Sequence, residues 1–407
     1  MTRLTSVQVG RGLLLTTMES ATDVGPSMPT DEQCDYYIDF TNETSLVVQG
    51  MLYTPVTTGL VTVILPLILI IGVVSNGAFL IVLFRVRWMR TITNFYLANL
   101  SVADMMFVMV TGAEHIWGYA SSPIPGDDMH LGKAGCILAT FIIYACYFGS
   151  VLLVTLVSLH RFFAICIPTR QDLIGSRQRT IKLVTGTWAI SFSIAIMLIP
   201  SVSRYMTHCL IWPEGEEYQS LPTVMAACQP VAPWVADVAT LAQTVPFFFA
   251  VIGNSFMYGR IIKSLTTRVE KRKEQTKSKN AAPTTVERAR DKVARMLIAN
   301  GVIFFVCLGP FQAMGFADVI TRKFNTHRIL TESQYHAFLW VSKILGYSNS
   351  AMNPIIYNAT NPRYRQAFCE AFPCLPNKKD RDSPPQSQMT RQYRSETQQY
   401  TTCVSKL

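Results

Sequence analysis

Residues 57–84 read TTGLVTVILPLILIIGVVSNGAFLIVLF, a run that contains no Asp, Glu, Lys or Arg. A helix of about 20 mostly apolar residues spans the ~30 Å hydrocarbon core of a bilayer. Further apolar runs follow at 93–117, 134–160, 183–203, 238–259, 296–317 and 333–358. Because a helix satisfies its own backbone hydrogen bonds in lipid, the pattern predicts an all-α membrane protein, a bundle of seven transmembrane helices.

The charge distribution predicts how the bundle is oriented. Residues 1–55 carry seven acidic side chains and only two basic ones, whereas basic residues concentrate in the loops at 85–90, 161–182 and 264–295. Because positively charged loops stay in the cytoplasm, we expect a multi-pass plasma-membrane protein with its N-terminus outside and its C-terminus inside. The net charge of +10 is then a topology signal that faces anionic membrane lipid or an acidic partner, and it does not indicate nucleic-acid binding.

Four of the ten cysteines, Cys34, Cys136, Cys209 and Cys228, fall on the predicted outer side, where disulfides form. A bridge from Cys136 to the loop at 204–236 would hold that loop over the mouth of the bundle. We favour Cys228 as its partner, which leaves Cys34 and Cys209 for a second bridge. Since sequence does not determine connectivity, Cys209 stays open as the partner of Cys136. The sequon at Asn42 predicts a glycosylation site on the same side.

Several motifs occur in order on successive spans. They are the pair Asn76-Gly77, the segment Leu100–Asp104, Cys136, Arg161, Trp188, Pro246, Pro310 and the run Asn353-Pro354-Ile355-Ile356-Tyr357. Over about 57–375 the chain resembles the rhodopsin-class (class A) G-protein-coupled receptors. The resemblance implies a receptor that activates a heterotrimeric G protein when the sixth helix moves outward. It implies coupling and activation roles for Arg161, Pro168, Phe304, Pro310, Asn353, Pro354 and Tyr357.

Asp104 is an acid inside a predicted span, where a charged side chain costs about 2.5–3.5 kcal/mol on insertion scales, so we expect it to face the bundle interior. One interpretation is a neutral, hydrogen-bonded structural acid. The resemblance implies another, an allosteric sodium site formed by Asp104, Ser150, Ser350 and Asn353. No other cofactor is expected.

The chain departs from the receptor pattern at three positions. The acid that normally precedes Arg161 is His160, the sixth-helix Trp is Leu308, and the fifth-helix Tyr is Asn254, with Tyr258 one turn later. Without the acid, Arg161 lacks its usual ion-pair partner, so we expect raised basal activity. A decoy receptor that signals through arrestin only is therefore the alternative function.

The predicted ligand-facing side chains are mostly aromatic and polar. They are Glu114, Trp117, Ile143, Tyr144, Tyr147, Gln243, Phe311, Gln312, Phe316, Trp340, Lys343 and Tyr347. Without an Asp at this level of the third span, an amine ligand is not expected. The retinal-attachment position is Tyr347, one turn from Lys343, which excludes an opsin. Lys343 is either a cation that reaches the membrane interface or a partner for an anionic ligand group.

An extracellular peptide is the favoured ligand. The segments Thr93-Asn94-Phe95-Tyr96 and Leu345-Gly346-Tyr347-Ser348-Asn349-Ser350 resemble those of the neuropeptide branch, which includes the galanin, kisspeptin, somatostatin and thyrotropin-releasing-hormone receptors. The acidic outer segments suit a cationic ligand. A non-peptide ligand is the alternative. No metal-ligand cluster, nucleophile elbow or phosphate loop appears in the sequence, so an enzyme is not expected.

The sequence predicts four regions. They are a flexible, glycosylated extracellular segment at 1–56, the bundle at 57–360, an amphipathic eighth helix at 361–375, and a disordered cytoplasmic tail at 376–407. Cys369 and Cys374 lie beside basic residues, as palmitoylation sites do. The Ser- and Thr-rich tail suits arrestin after phosphorylation, and the C-terminal Ser405-Lys406-Leu407 resembles a PDZ-domain ligand.

Overall fold

The computed structural model describes residues 8–9, 12–13, 34–170, 176–277, 285–324, 326 and 330–372. The helices are α1 (Ser45–Gly50), α2 (Pro55–Gly59), α3 (Leu65–Arg85), α4 (Ile92–Ser121), α5 (Gly132–Cys166), α6 (Arg177–Met197), α7 (Pro233–Lys277), α8 (Thr285–Phe324), α9 (Glu332–Thr360) and α10 (Pro362–Ala371). The strands are β1 (Gln8–Val9), β2 (Gly12–Leu13), β3 (Tyr36–Asp39), β4 (Arg204–Ile211) and β5 (Val224–Gln229). The chain is therefore mainly helical, as its apolar runs predict.

Within the described part of the chain, six helical segments are long and apolar enough to cross a membrane. They are Val47–Arg85, Ile92–Ser121, Gly132–Cys166, Arg177–Ser201, Pro233–Arg268 and Asp291–Phe324. The seventh long helix, α9, forms where the seventh span is predicted, but its apolar sequence is interrupted by polar residues such as Lys343, Asn349 and Asn353. Its helix is thus present, although it lacks a continuous stretch apolar enough to count among the six.

Helices α7 and α8 are much longer than the apolar runs that predict them. The runs cover 238–259 and 296–317, whereas the helices cover Pro233–Lys277 and Thr285–Phe324. Lys, Arg and Glu have high helix propensity, so the helices continue through charged sequence beyond the apolar part. Pro246 lies inside α7 and Pro310 inside α8, and each helix continues through its proline.

The chain forms two compact units. The first comprises Met1–Leu69, Met109–Ala145 and Phe192–Thr240, and we call it the disulfide unit. The second comprises Ile70–Val108, Cys146–Ser191 and Leu241–Leu407, and we call it the polar-core unit. Each is described separately below.

A three-stranded sheet characterises the disulfide unit. Strand β4 lies in the centre, parallel to β3 and antiparallel to β5. Two disulfides join its parts, Cys34–Cys209 and Cys136–Cys228, with Cα–Cα distances of 5.7 and 5.9 Å. Of the two connectivities left open for Cys136, the structure has the bond to Cys228.

The disulfide unit has its own small hydrophobic core. Phe40 and Val48 of the N-terminal segment pack with Ile124, Leu210 and Met225, and all five side chains are buried. Part of the segment 1–56, which the sequence predicts to be flexible, therefore packs against the rest of this unit at residues 34–53. The reason is that the Cys34 disulfide, the β3–β4 pairing and this core fix the segment, and none of these long-range contacts is visible as a local sequence pattern.

The polar-core unit is built from parts of α3 to α7 and from α8 to α10. Its largest fully buried side chains include Tyr96, Phe79, Phe247, Phe304 and Tyr357. Helix α10 begins with Asn361 as its N-cap, whose side chain accepts a 3.0 Å hydrogen bond from the Arg363 N–H. Its buried face carries Tyr364, Ala367 and Ala371, which gives the amphipathic helix predicted after the bundle. The expected continuation to 375 and the tail at 376–407 lie outside the described residues.

Candidate functional site

A buried hydrogen-bonded cluster surrounds Asp104 in the polar-core unit. The Asp104 side chain is 1% exposed. Its Oδ1 accepts a 3.2 Å hydrogen bond from the Ser150 hydroxyl of α5, and its Oδ2 accepts a 2.6 Å bond from Nδ2 of Asn353 in α9. Ser350 is also buried on α9, one turn before Asn353. The polar groups that α9 contributes explain its lower hydropathy, since they face other helices and not lipid.

The Ser75-Asn76 pair joins α3 to α9. Nδ2 of Asn76 donates to the carbonyl oxygens of Gly72 and Ser350, each at 2.9 Å. The Ser75 hydroxyl donates to the carbonyl oxygen of Ala351 at 2.8 Å. These bonds to main-chain oxygens fix the register of α9 against α3, so the part of α9 that carries Asn353 is held opposite Asp104.

Arg161 lies near the C-terminal end of α5 and donates from Nη2 to the Thr93 hydroxyl of α4. The preceding residue, His160, is 8% exposed and its ring centroid lies 5.9 Å from that of Tyr96. Nδ1 of His160 makes no hydrogen bond within the described part of the chain. A threonine hydroxyl thus contacts the guanidinium at a site where the receptor pattern predicts an acid. Sequence reasoning did not assign this role to Thr93, although Thr93 belongs to a segment that contributed to the neuropeptide resemblance.

Tyr258 of α7 packs against α8 and bonds to α5. Its hydroxyl shares a 2.8 Å hydrogen bond with the Ser158 hydroxyl of α5. It also lies so close to Gly301 of α8 that a Cβ there would stand 1.8 Å from the hydroxyl oxygen. A cavity of about 10 Å³ adjoins these residues and is also lined by Asn300, which is room for at most one water molecule.

Asn254, one turn before Tyr258, bonds to α5 and to its own helix. Its Nδ2 donates to the Thr155 hydroxyl at 3.0 Å and to the Ala250 carbonyl oxygen at 2.8 Å. Where the receptor pattern has a fifth-span Tyr, this chain has Asn254, and Tyr258 carries the aromatic hydroxyl one turn later. Gly301 was missed from sequence. The signal that could have revealed it is a glycine inside an apolar helical run, which often marks a close packing contact.

Tyr357, at the end of the Asn353–Tyr357 run, is fully buried. Its ring lies 5.5 Å from Phe79 and 5.7 Å from Tyr364 of α10, measured between centroids. The Tyr364 hydroxyl donates a 2.5 Å bond to Oδ1 of Asn94 in α4. These contacts link α9 and α10 to α3 and α4.

The remaining residues predicted to act in coupling occupy different environments. Phe304 is 1% exposed and packs against the ring of Phe305 at 5.3 Å. Pro168 is exposed after the end of α5, while Pro310 and Pro354 lie inside α8 and α9. All seven coupling candidates belong to the polar-core unit.

Four of the predicted ligand-facing residues belong to the disulfide unit. Glu114 is buried, with 9% of its surface exposed, and Trp117 is 60% exposed with its ring 5.8 Å from that of His130. Ile143 and Tyr144 are partly buried on α5.

The other eight belong to the polar-core unit. The Tyr147 hydroxyl donates to the Gln243 carbonyl oxygen at 3.2 Å, and Oε1 of Gln312 accepts from the Thr244 hydroxyl at 3.2 Å. Nζ of Lys343 lies 5.3 Å from the Trp340 ring centroid, a cation–π contact. Ring contacts join Tyr347 to Phe107 at 5.9 Å and Phe316 to Phe248 at 6.4 Å, while Phe311 is partly buried.

Comparison with known proteins identifies the family. Residues 75–357 match the family described as "7 transmembrane receptor (rhodopsin family)". The chain belongs to this family. It is thus a multi-pass membrane receptor of the G-protein-coupled class, and its seven long helices form the family's seven-helix bundle.

Three relatives illustrate the similarity of the receptor to known proteins. It is 27% identical over 313 residues to neuromedin-U receptor 2 of Mus musculus, covering 76% of this chain and 74% of the relative. It is 26% identical over 318 residues to growth hormone secretagogue receptor type 1 of Sus scrofa, covering 77% and 80%. It is 24% identical over 338 residues to the thyrotropin-releasing hormone receptor of Bos taurus, covering 77% and 78%.

The predicted modification sites of the receptor differ in how far the structure describes them. Asn42 is exposed in the turn after β3. Cys369 lies on α10 and is partly buried. Cys374 and the C-terminal Ser405-Lys406-Leu407 lie outside the described residues. Asp128, Cys136 and Cys228 lie within 4.8 Å of one another, but the two sulfurs are bonded to each other and so do not form a metal site.

Proposed function

We propose that this receptor is activated by an extracellular peptide and transmits the signal to a heterotrimeric G protein through outward movement of α8. The observation that carries the proposal is the position of Arg161, held by Thr93, within the same compact unit as the Asp104 cluster and Tyr357. Since these contacts are individually weak, a modest change in ligand-binding energy is enough to exchange one set for another.

A peptide ligand is supported by the relatives and by charge. Neuromedin-U and thyrotropin-releasing hormone, which appear in the names of two relatives, agree with the peptide class favoured by the sequence. Among residues 34–56, 121–133 and 204–232 there are eight carboxylates and only two basic side chains, Lys133 and Arg204. An acidic surface of this kind attracts a cationic ligand and raises its association rate. The twelve predicted ligand-facing residues are the proposed contact set.

The decisive test is a cell-based G-protein activation assay with a neuropeptide library, run on the receptor and on Arg161→Ala. A matched control is Arg177→Ala, which removes an exposed arginine at the start of α6. We expect a peptide-dependent response that is lost in Arg161→Ala and kept in Arg177→Ala at equal surface expression. Absence of any peptide response in both G-protein and arrestin assays would contradict the peptide proposal and favour a non-peptide ligand.

A second candidate function is favoured by His160, which replaces the acid that usually restrains the arginine. In this alternative the receptor is a decoy that recruits arrestin without activating a G protein. Peptide-driven arrestin recruitment without G-protein activation would establish it. The substitution His160→Asp tests the restraint itself, and we expect it to lower ligand-free signalling because an aspartate can pair with Arg161.

We further propose that the N-terminus is extracellular at the plasma membrane. The two disulfides belong to the disulfide unit, and disulfides persist on the oxidising side of the membrane. The exposed Asn42 sequon lies in the same unit, and such a sequon is glycosylated only on that side. Accessibility of an N-terminal epitope tag on intact cells tests this orientation. Labelling only after permeabilisation would reverse it.

The oxygen-rich cluster at Asp104 fits a sodium ion. Besides the carboxylate, Oδ1 of both Asn349 and Asn353 is buried without a hydrogen-bond partner among the described residues, so lone pairs are available for a hard cation. Asp104, Ser150, Ser350 and Asn353 would hold the ion, which would supply positive charge to stabilise the buried carboxylate. We expect peptide affinity to depend on sodium concentration in the receptor and not in Asp104→Asn.

A further inference from the structure

The sheet of the disulfide unit has one closed edge and one open edge. Beyond β5, Oδ1 of Asp127 accepts from the Ala226 N–H at 3.1 Å and Oδ2 of Asp128 accepts from the Cys228 N–H at 2.9 Å. The Asp128 N–H also donates to the Ala226 carbonyl oxygen at 2.7 Å. On the other side, β3 pairs only with β4, and no described strand lies beyond it. An open edge is a template on which an extended peptide can add a strand.

The register indicates which groups of β3 face the open edge. Ile38 lies opposite Leu210, and the Phe40 N–H just after β3 donates to the Ile211 carbonyl oxygen at 2.8 Å. Because successive residues of a strand direct their N–H and C=O groups to opposite edges, those of Tyr37 and Asp39 point to the open edge. The Cys34–Cys209 disulfide and the buried core beneath the sheet hold this edge in place before any partner binds.

The side chains of β3 favour a basic partner. Asp35, which directly precedes β3 and donates its N–H to the Thr207 carbonyl oxygen at 3.0 Å, is exposed. Tyr37 and Asp39 are exposed at the next alternate positions, so an acid, an aromatic ring and a second acid follow one another. Alternate residues of a strand are about 6.6–6.8 Å apart, so an added strand with basic residues at alternate positions would match the two carboxylates. The ring of Tyr37, 52% exposed, is available to a cation or an aliphatic stem.

Asp35 is held in its charged form. Its Oδ2 accepts 2.8 Å and 3.1 Å hydrogen bonds from the N–H and hydroxyl of Thr207, and the backbone bond is the main reason that its pKa lies below the ordinary 3.8. Asp39 accepts bonds from the N–H and hydroxyl of Thr41 at 2.8 and 2.7 Å. The bonds of Asp35 to β4 and of Asp39 to the turn after β3 orient both carboxylates.

We propose that the open edge of β3 binds a basic, extended segment of the receptor's peptide ligand as a fourth strand, with alternate Lys or Arg side chains beside Asp35 and Asp39. The inference rests on the proposed function, because it takes the ligand to be a peptide. It adds a binding site on the N-terminal segment to the ligand-facing residues of the helices. It also predicts that the ligand contains a segment with a basic residue at every second position.

The test uses the full-length receptor in nanodiscs and a fluorescent probe peptide, acetyl-Lys-Val-Lys-Val-Lys-Val-amide. A second probe carries N-methyl groups on alternate amides, which keeps the charge and removes the donors needed for a strand. We expect the first probe to bind and the second to bind roughly fivefold more weakly for each blocked amide that pairs with β3. Equal binding of both probes would overturn the strand proposal in favour of unspecific charge attraction.

The receptor variant Asp35→Asn/Asp39→Asn tests the carboxylates, and it keeps the side-chain oxygens that accept from Thr207 and Thr41. Its matched control is Glu214→Gln/Glu216→Gln, the same charge change in the β4–β5 connection. Two surface ion pairs predict a loss of between about twofold and thirtyfold in probe affinity for the first variant. Equal losses in both variants would overturn the site.

Two further outcomes separate the alternatives. Probe binding that occurs only after deletion of residues 1–33 would assign the edge to this chain's own N-terminal segment and overturn the proposal. The probe assay does not depend on signalling. A library peptide that activates the receptor while the probe fails to bind would therefore refute the edge site alone, whereas probe binding without any activating peptide would refute the proposed function alone.

Discussion

The two units of the receptor are stabilised by different kinds of bond. The disulfide unit is joined by Cys34–Cys209, Cys136–Cys228 and a sheet whose register is continuous along β4. The polar-core unit has its predicted coupling residues joined by single hydrogen bonds, such as Asn353 to Asp104 and Arg161 to Thr93. A disulfide typically contributes 2–4 kcal/mol and a net hydrogen bond about 0.5–1.5 kcal/mol.

This difference is consistent with ligand recognition by the disulfide unit and signalling by the polar-core unit. A surface that recognises a ligand gains affinity when its shape is fixed in advance, because binding then costs less ordering entropy. A signalling core must change from one packing arrangement to another. The free energy of each contact that breaks must therefore be smaller than the difference in ligand-binding free energy between the two arrangements. We therefore expect the loss of a disulfide to destabilise the receptor more than the loss of a single hydrogen bond in the polar-core unit.

The largest effect is expected from removing a disulfide. Cys136→Ser should cost about 2–5 kcal/mol and strongly reduce surface expression, because it frees the β5 strand from the start of α5. Cys307→Ala, which removes a free and half-buried thiol of the polar-core unit, is the control. Flow cytometry of tagged receptor measures both, and equal surface levels would contradict the comparison.

Next in size is Gly301→Ala in the polar-core unit. The added Cβ would meet the Tyr258 hydroxyl, so the ring must move, which costs about 1–3 kcal/mol as overpacking does elsewhere. Gly309→Ala on the same helix meets no atom within 4 Å and should stabilise slightly. Thermal midpoints of purified receptor measure the difference. In a Tyr258→Ala background the effect of Gly301→Ala should largely vanish; if it persists, the clash is not its cause.

A smaller effect is expected for Tyr364→Phe, which removes the bond to Oδ1 of Asn94 and leaves a buried acceptor without its partner. The expected loss is about 0.5–1.5 kcal/mol, seen as a lower thermal midpoint. Tyr37→Phe, which removes a hydroxyl from an exposed ring of the disulfide unit, should change little. Similar shifts of the thermal midpoint in both variants would mean that the bond from Tyr364 to Asn94 does not specifically stabilise the receptor.

The smallest expected effect is the change in stability of the disulfide unit with pH. Burial lowers the pKa of His208 from 6.5, partly offset by the nearby Asp35 charge. Its neutral form is therefore favoured in the folded unit, and stability should fall as pH drops below 6.5. A further loss is expected below 3.8, where the contribution of Asp35 disappears. Hydrogen exchange of β4 peptides between pH 7.5 and 5 measures the first step, and a His208→Gln receptor with an unchanged pH response would contradict it.

Local sequence determined the helical fold and most of the candidate signalling positions. Long apolar runs cannot form other structures in lipid, so the spans could be predicted from composition alone. Asp104 was identifiable because an acid inside a span must find polar partners. The charged extensions of α7 and α8 follow helix propensity, so hydropathy alone does not predict where these two helices end.

Contacts between distant segments were decided only in three dimensions. The folded state of residues 34–53, the partner of Cys136 and the Tyr258–Gly301 contact each join positions that are far apart in the chain. No local pattern encodes them, because strand pairing, disulfide geometry and side-chain packing depend on which backbones approach each other. The sequence by itself determined that the chain is a seven-helix receptor, whereas the tertiary structure decided which hydroxyl contacts Arg161 and which sheet edge stays open.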